Sequence, residues 1–349
     1  MTHWSTSIRV GQRRIGAGEP TYVIAEVGQN HNGDVGLARE MVAAAAGAGA
    51  DAVKFQGFSA AAWWSPSHTW PQPDGSVFVP SVGYEKYELS QEDWQEVAAC
   101  CGSHGVDFMS SVFDLPSLEL LEQVGPVAYK IASGEFTDVL LIAEVAKTGR
   151  PLILSTGMAT ADEVERTLDA IRAQGHRDVV LLKCTASYPT PLEEMHIRGI
   201  ETLREIGGTL VGLSDHSESP YAAMAAVSLG AAVVERHFTT DRSLPGFDQQ
   251  MSIVPDELAS LVGQLRALET ALGESSLGER GVEGGFAQHA KRSICATSSL
   301  PAGHVLRRDD LETRRPPGGI DPYRWPEVVG RALTAPVPAG EQITWELVG

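Results

Sequence analysis

The 349-residue chain holds only four cysteines, and their positions (Cys100, Cys101, Cys184 and Cys295) follow no metal-type spacing. That scarcity excludes a disulfide-stapled scaffold, and neighbours such as Cys100 and Cys101 are poorly placed to pair, so reduced thiols in a cytoplasmic protein are expected. No apolar run approaches the ~20 residues that span a bilayer, and residues 1–20 lack the apolar stretch of a secretory signal, so no membrane partner is expected. Positive charge is also short: 27 Lys and Arg stand against 45 Asp and Glu, a formal net charge of −18. Nucleic acid is thereby excluded as a partner, since phosphate neutralisation needs a basic face. A small anionic substrate is not excluded, because a few local cations suffice. Lysine is scarce even among the cations, six against 21 arginines.

What is present is a repeated alternation. Short β-branched runs are expected as strands at 22–28, 52–58, 107–113, 128–134, 151–157, 179–185, 209–215 and 233–238. Between them, helical spacing marks 35–49, 91–105, 117–125, 138–149, 161–175, 220–230 and a last helix over 255–273, several closing on glycine. Eight βα units in about 250 residues predict an α/β fold, a closed (β/α)8 TIM barrel. The rival, a doubly wound open sheet, wants a glycine-rich phosphate turn after its first strand, and AEVGQNHNGD supplies none. The Gly- and Ser-rich stretch GESSLGERGVEGG reads as a linker, placing domains at 1–275 (1–20 an N-terminal extension) and 286–349, joined by 276–285. The last segment has short apolar runs and two similar turns, LPAGHVL and VPAGEQI, and reads as a small β-rich module.

In such a barrel the strands' C-terminal ends carry function. Polar residues gather there: Glu26, Gln29, Asn30 and His31; Lys54 and Gln56; Lys130, Ser133 and Glu135; Ser155 and Thr156; Lys183, Thr185 and Tyr188; Ser214, Asp215 and His216; Glu235, Arg236 and His237. Three of the six lysines lie inside strands next to apolar neighbours, where an ammonium suits phosphate or carboxylate binding. The alternatives are a buried lysine paired with an acid, or a strand shifted by one residue. Period-two alternation puts Ser214 with His216, and Glu235 with His237, on one side of adjoining strands, so the two imidazoles can approach and hold a divalent metal. Either histidine could instead be a satisfied core residue. His68, His104 and His176 are expected in solvent, while His31 is set apart in the first βα loop. Asp248, in PGFD after the last strand, would overhang the same mouth.

The ordered segments IAEVGQNHNGD, VKFQ, AYKIASGE, LSTGM, CTASYPTP, GLSDHS, VERHFT and PGFD, with RRPPGG near the C-terminus, resemble the N-acetylneuraminate (sialic acid) synthase family, which includes legionaminic and pseudaminic acid synthases. Residues 286–349 are similar to that family's antifreeze-like (SAF) domain. The resemblance implies condensation of phosphoenolpyruvate with the open-chain aldehyde of an N-acylated amino sugar, giving a nonulosonic acid and phosphate. It implies Mn2+, or Mg2+ or Co2+, on His216 and His237. Lys54, Lys130, Ser133, Ser155 and Ser214 would hold phosphoenolpyruvate. Glu26, Gln56, Glu135, Tyr188 and Asp248 would contact the sugar or move protons, with Glu135 ahead of Glu26 as general base. Arg315 would reach a sugar in the other subunit of a domain-swapped homodimer. The chain departs from the family at Ala186, where an Asn commonly follows CT, with Ser187 a candidate replacement. Residues 59–90, with Trp63, Trp64 and Trp70, match no family segment and are long enough to line a sugar pocket. PGFD and SGE favour the neuraminate and legionaminate branch. Two other readings remain: a 3-deoxy-octulosonate or heptulosonate type synthase, whose sugar-phosphate substrates need more cations than the single Lys86 of 59–90, and a barrel that has lost catalysis, for which Ala186 is the only support.

Overall fold

The computed structural model describes residues 3–72, 75–278 and 281–349. Positions 1–2 of the expected extension, 73–74 of the long loop and 279–280 of the expected linker lie outside the described residues. The chain divides into two compact units, Met1–Gly273 and Glu274–Gly349.

The first unit opens with an antiparallel hairpin, β1 (Ser7–Val10) and β2 (Arg13–Gly16). Then follow β3 (Tyr22–Gly28), β4 (Ala52–Gly57), a small pair β5 (Trp70–Pro71) and β6 (Val77–Phe78), β7 (Asp107–Val112), β8 (Tyr129–Ile131), β9 (Leu152–Ser155), β10 (Val179–Cys184), β11 (Leu210–Asp215) and β12 (Val233–His237). Eight of these close a parallel barrel in the order β3-β4-β7-β8-β9-β10-β11-β12, β12 returning to β3. The expected barrel is the observed one. Three differences in detail matter. β8 covers three residues, so Ser133 and Glu135 stand in the loop beyond it. A helix at Gly199–Gly207, flanked by glycines that masked its apolar spacing, follows β10. The helix expected at 117–125 runs Leu115–Val124, because Asp114 caps it and Pro116 is tolerated in a first turn.

Alternation along the strands sorts the barrel interior into levels. Ile24, Ala52, Met109, Ala128, Ile153, Val180 and Val233 form one apolar cluster with Ile8, Val10 and Ile15 of the hairpin, which thereby closes the end where the strands begin. Two residues further on, the same inward faces carry Glu26, Lys54, Ser111, Lys130, Ser155 and Glu235. Outward faces such as Val23, Val53, Phe55, Phe108 and Val234 pack against the helices in the main core. At about 25 cal/mol per Å2, this apolar burial supplies most of the fold's stabilisation. The helices start where side chains satisfy their first N–H groups, for instance Ser90 with Asp93 and Thr160 with Glu163 in reciprocal capping boxes.

The second unit has its own core of Ile294, Leu300, Leu306, Leu311, Ile320, Leu333, Val337 and Ile343. Its regular sheet is a single antiparallel pair, β13 (Ser293–Ala296) with β14 (Leu311–Arg314), supplemented by isolated bridges. The two PAG turns pair through one of them. Leu300 and Val337 exchange backbone hydrogen bonds of 2.8 and 2.9 Å, and Gly303 and Gly340 both take φ +80°, open to glycine without strain. A helix at Gly284–Ala290 precedes β13.

All four cysteines are free thiols. Among the described residues, no helix is long and apolar enough to cross a membrane.

Candidate active site

Above the apolar level, the barrel interior opens into a cavity of about 720 Å3. Its floor is a charged cluster with almost no solvent contact. Lys54 Nζ lies 2.5 Å from Glu26 Oε2 and 3.7 Å from Glu235 Oε2, and donates to Ser111 Oγ at 2.9 Å. Lys130 Nζ stands 3.5 Å from Glu235 Oε1, which also accepts from Ser214 Oγ at 3.1 Å. Gln56 Nε2 donates to Glu26 Oε1 (3.1 Å), and Gln56 Oε1 accepts in turn from Gln29 Nε2 (2.9 Å). So Lys54 and Lys130 are paired with acids and also face the cavity; the two readings of these lysines meet in one arrangement.

Burial raises Glu26, opposed by Lys54 and reinforced by Glu235. Burial also pushes Glu235 upward, but Lys130 and Lys54 together outweigh it and hold that carboxyl low. Lys130 is lowered by burial. Two carboxyls one strand apart are thus driven in opposite directions, the pattern that separates an acid from a base.

The imidazoles stand together, His216 and His237 having ring centroids 5.3 Å apart, with Tyr188 4.2 Å from His216. His216 Nδ1 is 2.9 Å from the Thr185 carbonyl and donates there; in the neutral ring this makes Nε2 the lone-pair nitrogen. Burial, with His216 and the nearby lysines, keeps His237 well below its ordinary value and hence neutral. His237 Nδ1 has no hydrogen-bond partner and lies 3.7 Å from Asp248 Oδ2. A neutral imidazole and a second ring with a free nitrogen are donors that suit a divalent ion. Among the described residues no ready-made group of three or more such donors occurs, so any ion would take its remaining ligands from oxygens of substrate and water.

Ser133 Oγ accepts from Gly157 N at 3.1 Å, and Ser155 Oγ is buried without a partner. Glu135, raised by burial, accepts from Trp63 Nε1 at 3.1 Å. Glu26, Glu135, Asp248, Lys54, Gln56, Lys130, Ser133, Ser155, Tyr188, Ser214, His216 and His237 all line this one cavity. Arg315 belongs to the second unit, where it is exposed.

Other candidates go elsewhere. Lys183 Nζ donates to the Cys184 carbonyl and Thr185 Oγ1, its stem against Gly199. Arg236 turns away from the cavity and pairs with Asp215 at 2.9 Å, both buried. His31 is buried between Phe55 and Trp94. His176, expected in solvent, is buried, and its Nε2 sits 3.1 Å from the Asp178 carbonyl. Ser187 directs its hydroxyl to the Pro189 carbonyl at 3.3 Å and does not line the cavity where Ala186 does. Of the three tryptophans, Trp63 and Trp70 line the cavity, while Trp64 stacks on His68.

Ser111, Cys184, Tyr84 and Phe247 were not singled out from the sequence. The alternation along β7 and β10 was the available signal for the first two. Cys184 Sγ lies 3.9 Å from His216 Nδ1; burial raises it, but His216 and Ser133 bring it to about 7.

Comparison with known proteins identifies the family. Residues 41–276 match the NeuB family, and residues 291–348 match the SAF domain. The chain belongs to the NeuB family. Similar NeuB relatives include the N,N'-diacetyllegionaminic acid synthase of Legionella pneumophila, 36% identical over 95% of this chain and 95% of that protein. The N,N'-diacetyllegionaminic acid synthase of Campylobacter jejuni is 34% identical over 90% of this chain and 96% of that one. Among solved structures, the N-acetylneuraminic acid (sialic acid) synthetase of Leptospira borgpetersenii, in complex with citrate, superposes with a TM-score of 0.73 at 30% identity, covering 82% of this chain and 96% of that chain. The NeuB barrel followed by a SAF module is thus both the expected and the observed organisation.

Proposed function

We propose that the protein condenses phosphoenolpyruvate with the open-chain aldehyde of an N-acylated amino sugar, releasing phosphate and a nonulosonic acid. One observation carries the reading: two buried ammonium groups and two imidazoles share the floor of one cavity in a NeuB barrel. Lys54, Lys130, Ser155 and Ser214 would seat the phosphate and carboxylate, since a buried anion needs charge and hydrogen bonds together. His216 and His237 would hold a divalent cation, Mn2+ being the expectation, and its chemistry is Lewis-acid polarisation of the aldehyde oxygen.

As the new C–C bond forms, C2 of phosphoenolpyruvate becomes cationic and captures water. Glu135 is the better-placed base for that water: burial raises its carboxyl toward proton acceptance, and only the Trp63 indole engages it through a side chain. Glu26 is tied to Lys54 and Gln56. Phosphate then leaves from the tetrahedral intermediate, its charge met by the lysines. A domain-swapped homodimer would bring Arg315 of the partner subunit to the sugar.

The test is release of inorganic phosphate from phosphoenolpyruvate with Mn2+ and a panel of N-acylated hexosamines. Sugar-dependent release is expected, and Glu135→Gln lowers kcat by about 10^2–10^4 with little change in KM for phosphoenolpyruvate. Folded, metal-loaded protein that releases no phosphate with any of these sugars would sink the assignment.

A further inference from the structure

The third strand lysine, which the catalytic floor leaves out, lines a different cavity. Lys183 points away from the barrel interior into a hollow of about 510 Å3, walled by the helices at Ala161–Ala173 and Gly199–Gly207. Its stem fills the space beside Gly199, where a Cβ would stand 3.0 Å from the lysine's Cδ. The ammonium is thereby held at the end of β10, donating at 3.0 Å to both the Cys184 carbonyl and Thr185 Oγ1. An ammonium carries three N–H donors, so one remains for another acceptor.

Among the described residues no carboxylate forms an ion pair with Lys183, whereas Lys54 and Lys130 each face one. In a chain of 45 Asp and Glu against 27 Lys and Arg, a half-buried cation without an acid is unusual. The acids nearby are engaged elsewhere. Asp162 pairs with Arg166 at 2.7 Å, and Glu163 accepts from Thr160 N in its own helix cap. Glu194, the one acid on the lining among the described residues, is exposed and lies 3.8 Å from His196 Nε2.

Backbone donors meet the ammonium here. The helix at Ala161–Ala173 begins at this hollow, and the first-turn N–H groups of Ala161 and Asp162 have no partner among the described residues. The helix at Gly199–Gly207 also begins here and has no side-chain cap. Two positive helix ends and one ammonium thus border the same volume, which favours an oxyanion. A lysine N–H and two backbone N–H groups suit the several oxygens of a phosphate better than the two of a carboxylate. The hollow adjoins the catalytic cavity along Met158, Cys184 and Ala186, which line both.

We propose that this hollow is a second anion site, outside the catalytic cavity, which binds a phosphate group on Lys183 and the first turn of the helix at Ala161–Ala173. The group is free phosphate or the phosphate of a small ester. Binding there does not rest on the condensation reading.

The test is amide NMR of the full-length protein titrated with sodium phosphate, against sodium chloride at equal ionic strength. Shifts at Ala161, Asp162 and Thr185 are expected to saturate with a Kd of about 1–10 mM, a weak site with one ammonium. Lys183→Met keeps the apolar stem against Gly199 and removes the charge, so that Kd should weaken about tenfold. The amides of Lys130 and Ser155, on the catalytic floor, should keep their own midpoint in both proteins. A parallel titration with phosphoenolpyruvate separates the sources: the same shifts assign the site to phosphate esters as well, and their absence assigns it to the free ion. No saturable shift at Ala161, Asp162 and Thr185 with either anion overturns the site. A Kd unchanged by Lys183→Met, or a floor midpoint that moves with it, does the same.

Discussion

Individual side chains carry the clearest consequences of burial. His31 is enclosed, with Nδ1 accepting from Gly33 N at 3.1 Å and Nε2 unpartnered, and burial lowers it from 6.5 to about 4. The folded chain refuses a proton that the unfolded chain accepts, so stability is present above pH 6.5 and drains as the pH falls toward 4. About 2 kcal/mol should be lost between pH 7.5 and 5, read from urea unfolding, and His31→Leu should remove most of that dependence. The Trp63 indole lowers Glu135 through its hydrogen bond, against the larger effect of burial. Trp63→Phe keeps the ring and deletes the donor, so Glu135 rises and the acid limb of the kcat/KM profile moves to higher pH. An unmoved limb would remove Glu135 from the role of base. The sequence exposed the floor residues because lysine is scarce here and three lysines fall inside strands. It pointed to Lys54 and Lys130 ahead of Lys183, although inward and outward positions alternate every residue and a one-residue error in strand register reverses them. Arg236 and His237, adjacent in sequence and opposite in role, show the same rule.

At the level of elements, Asp114 joins two functions. Its Oδ1 caps the helix at Leu115–Val124 through Ser117 N at 2.8 Å, and its Oδ2 holds Ser59 N at the start of the aromatic segment. Asp114→Ala should cost about 1–3 kcal/mol, as a lost cap plus an unsatisfied N–H, measured by chemical unfolding. The barrel was legible in its eight β-branched runs, since their burial on both faces leaves a strong local signature. The aromatic lining of the cavity was legible only as an unexplained length of chain: its ring contacts join residues as far apart as Phe78 and Phe247, and no local period encodes such a meeting.

For the whole molecule, two separate apolar cores imply two folding units. A chain ending at Gly273 should keep cooperative unfolding and bind Mn2+, yet turn over sugar far more slowly, because it lacks Arg315. Arg315→Ala in the full chain should lower activity while the sedimentation behaviour stays that of the parent. Loss of activity in neither variant would dismiss the swap. The SAF module was readable from its turns and its motif, but not as regular β structure, since most of its pairing consists of isolated bridges.

The floor cluster has a further effect on binding heat. Lys54 and Lys130 are already balanced by Glu26 and Glu235, so an arriving polyanion adds charge to a site that holds no surplus. Glu26, raised before the anion enters, is driven higher once it is seated, and association draws a proton from the buffer. Calorimetric titrations of phosphoenolpyruvate in two buffers of different ionisation enthalpy should register that uptake, and the affinity should weaken as the medium becomes more alkaline.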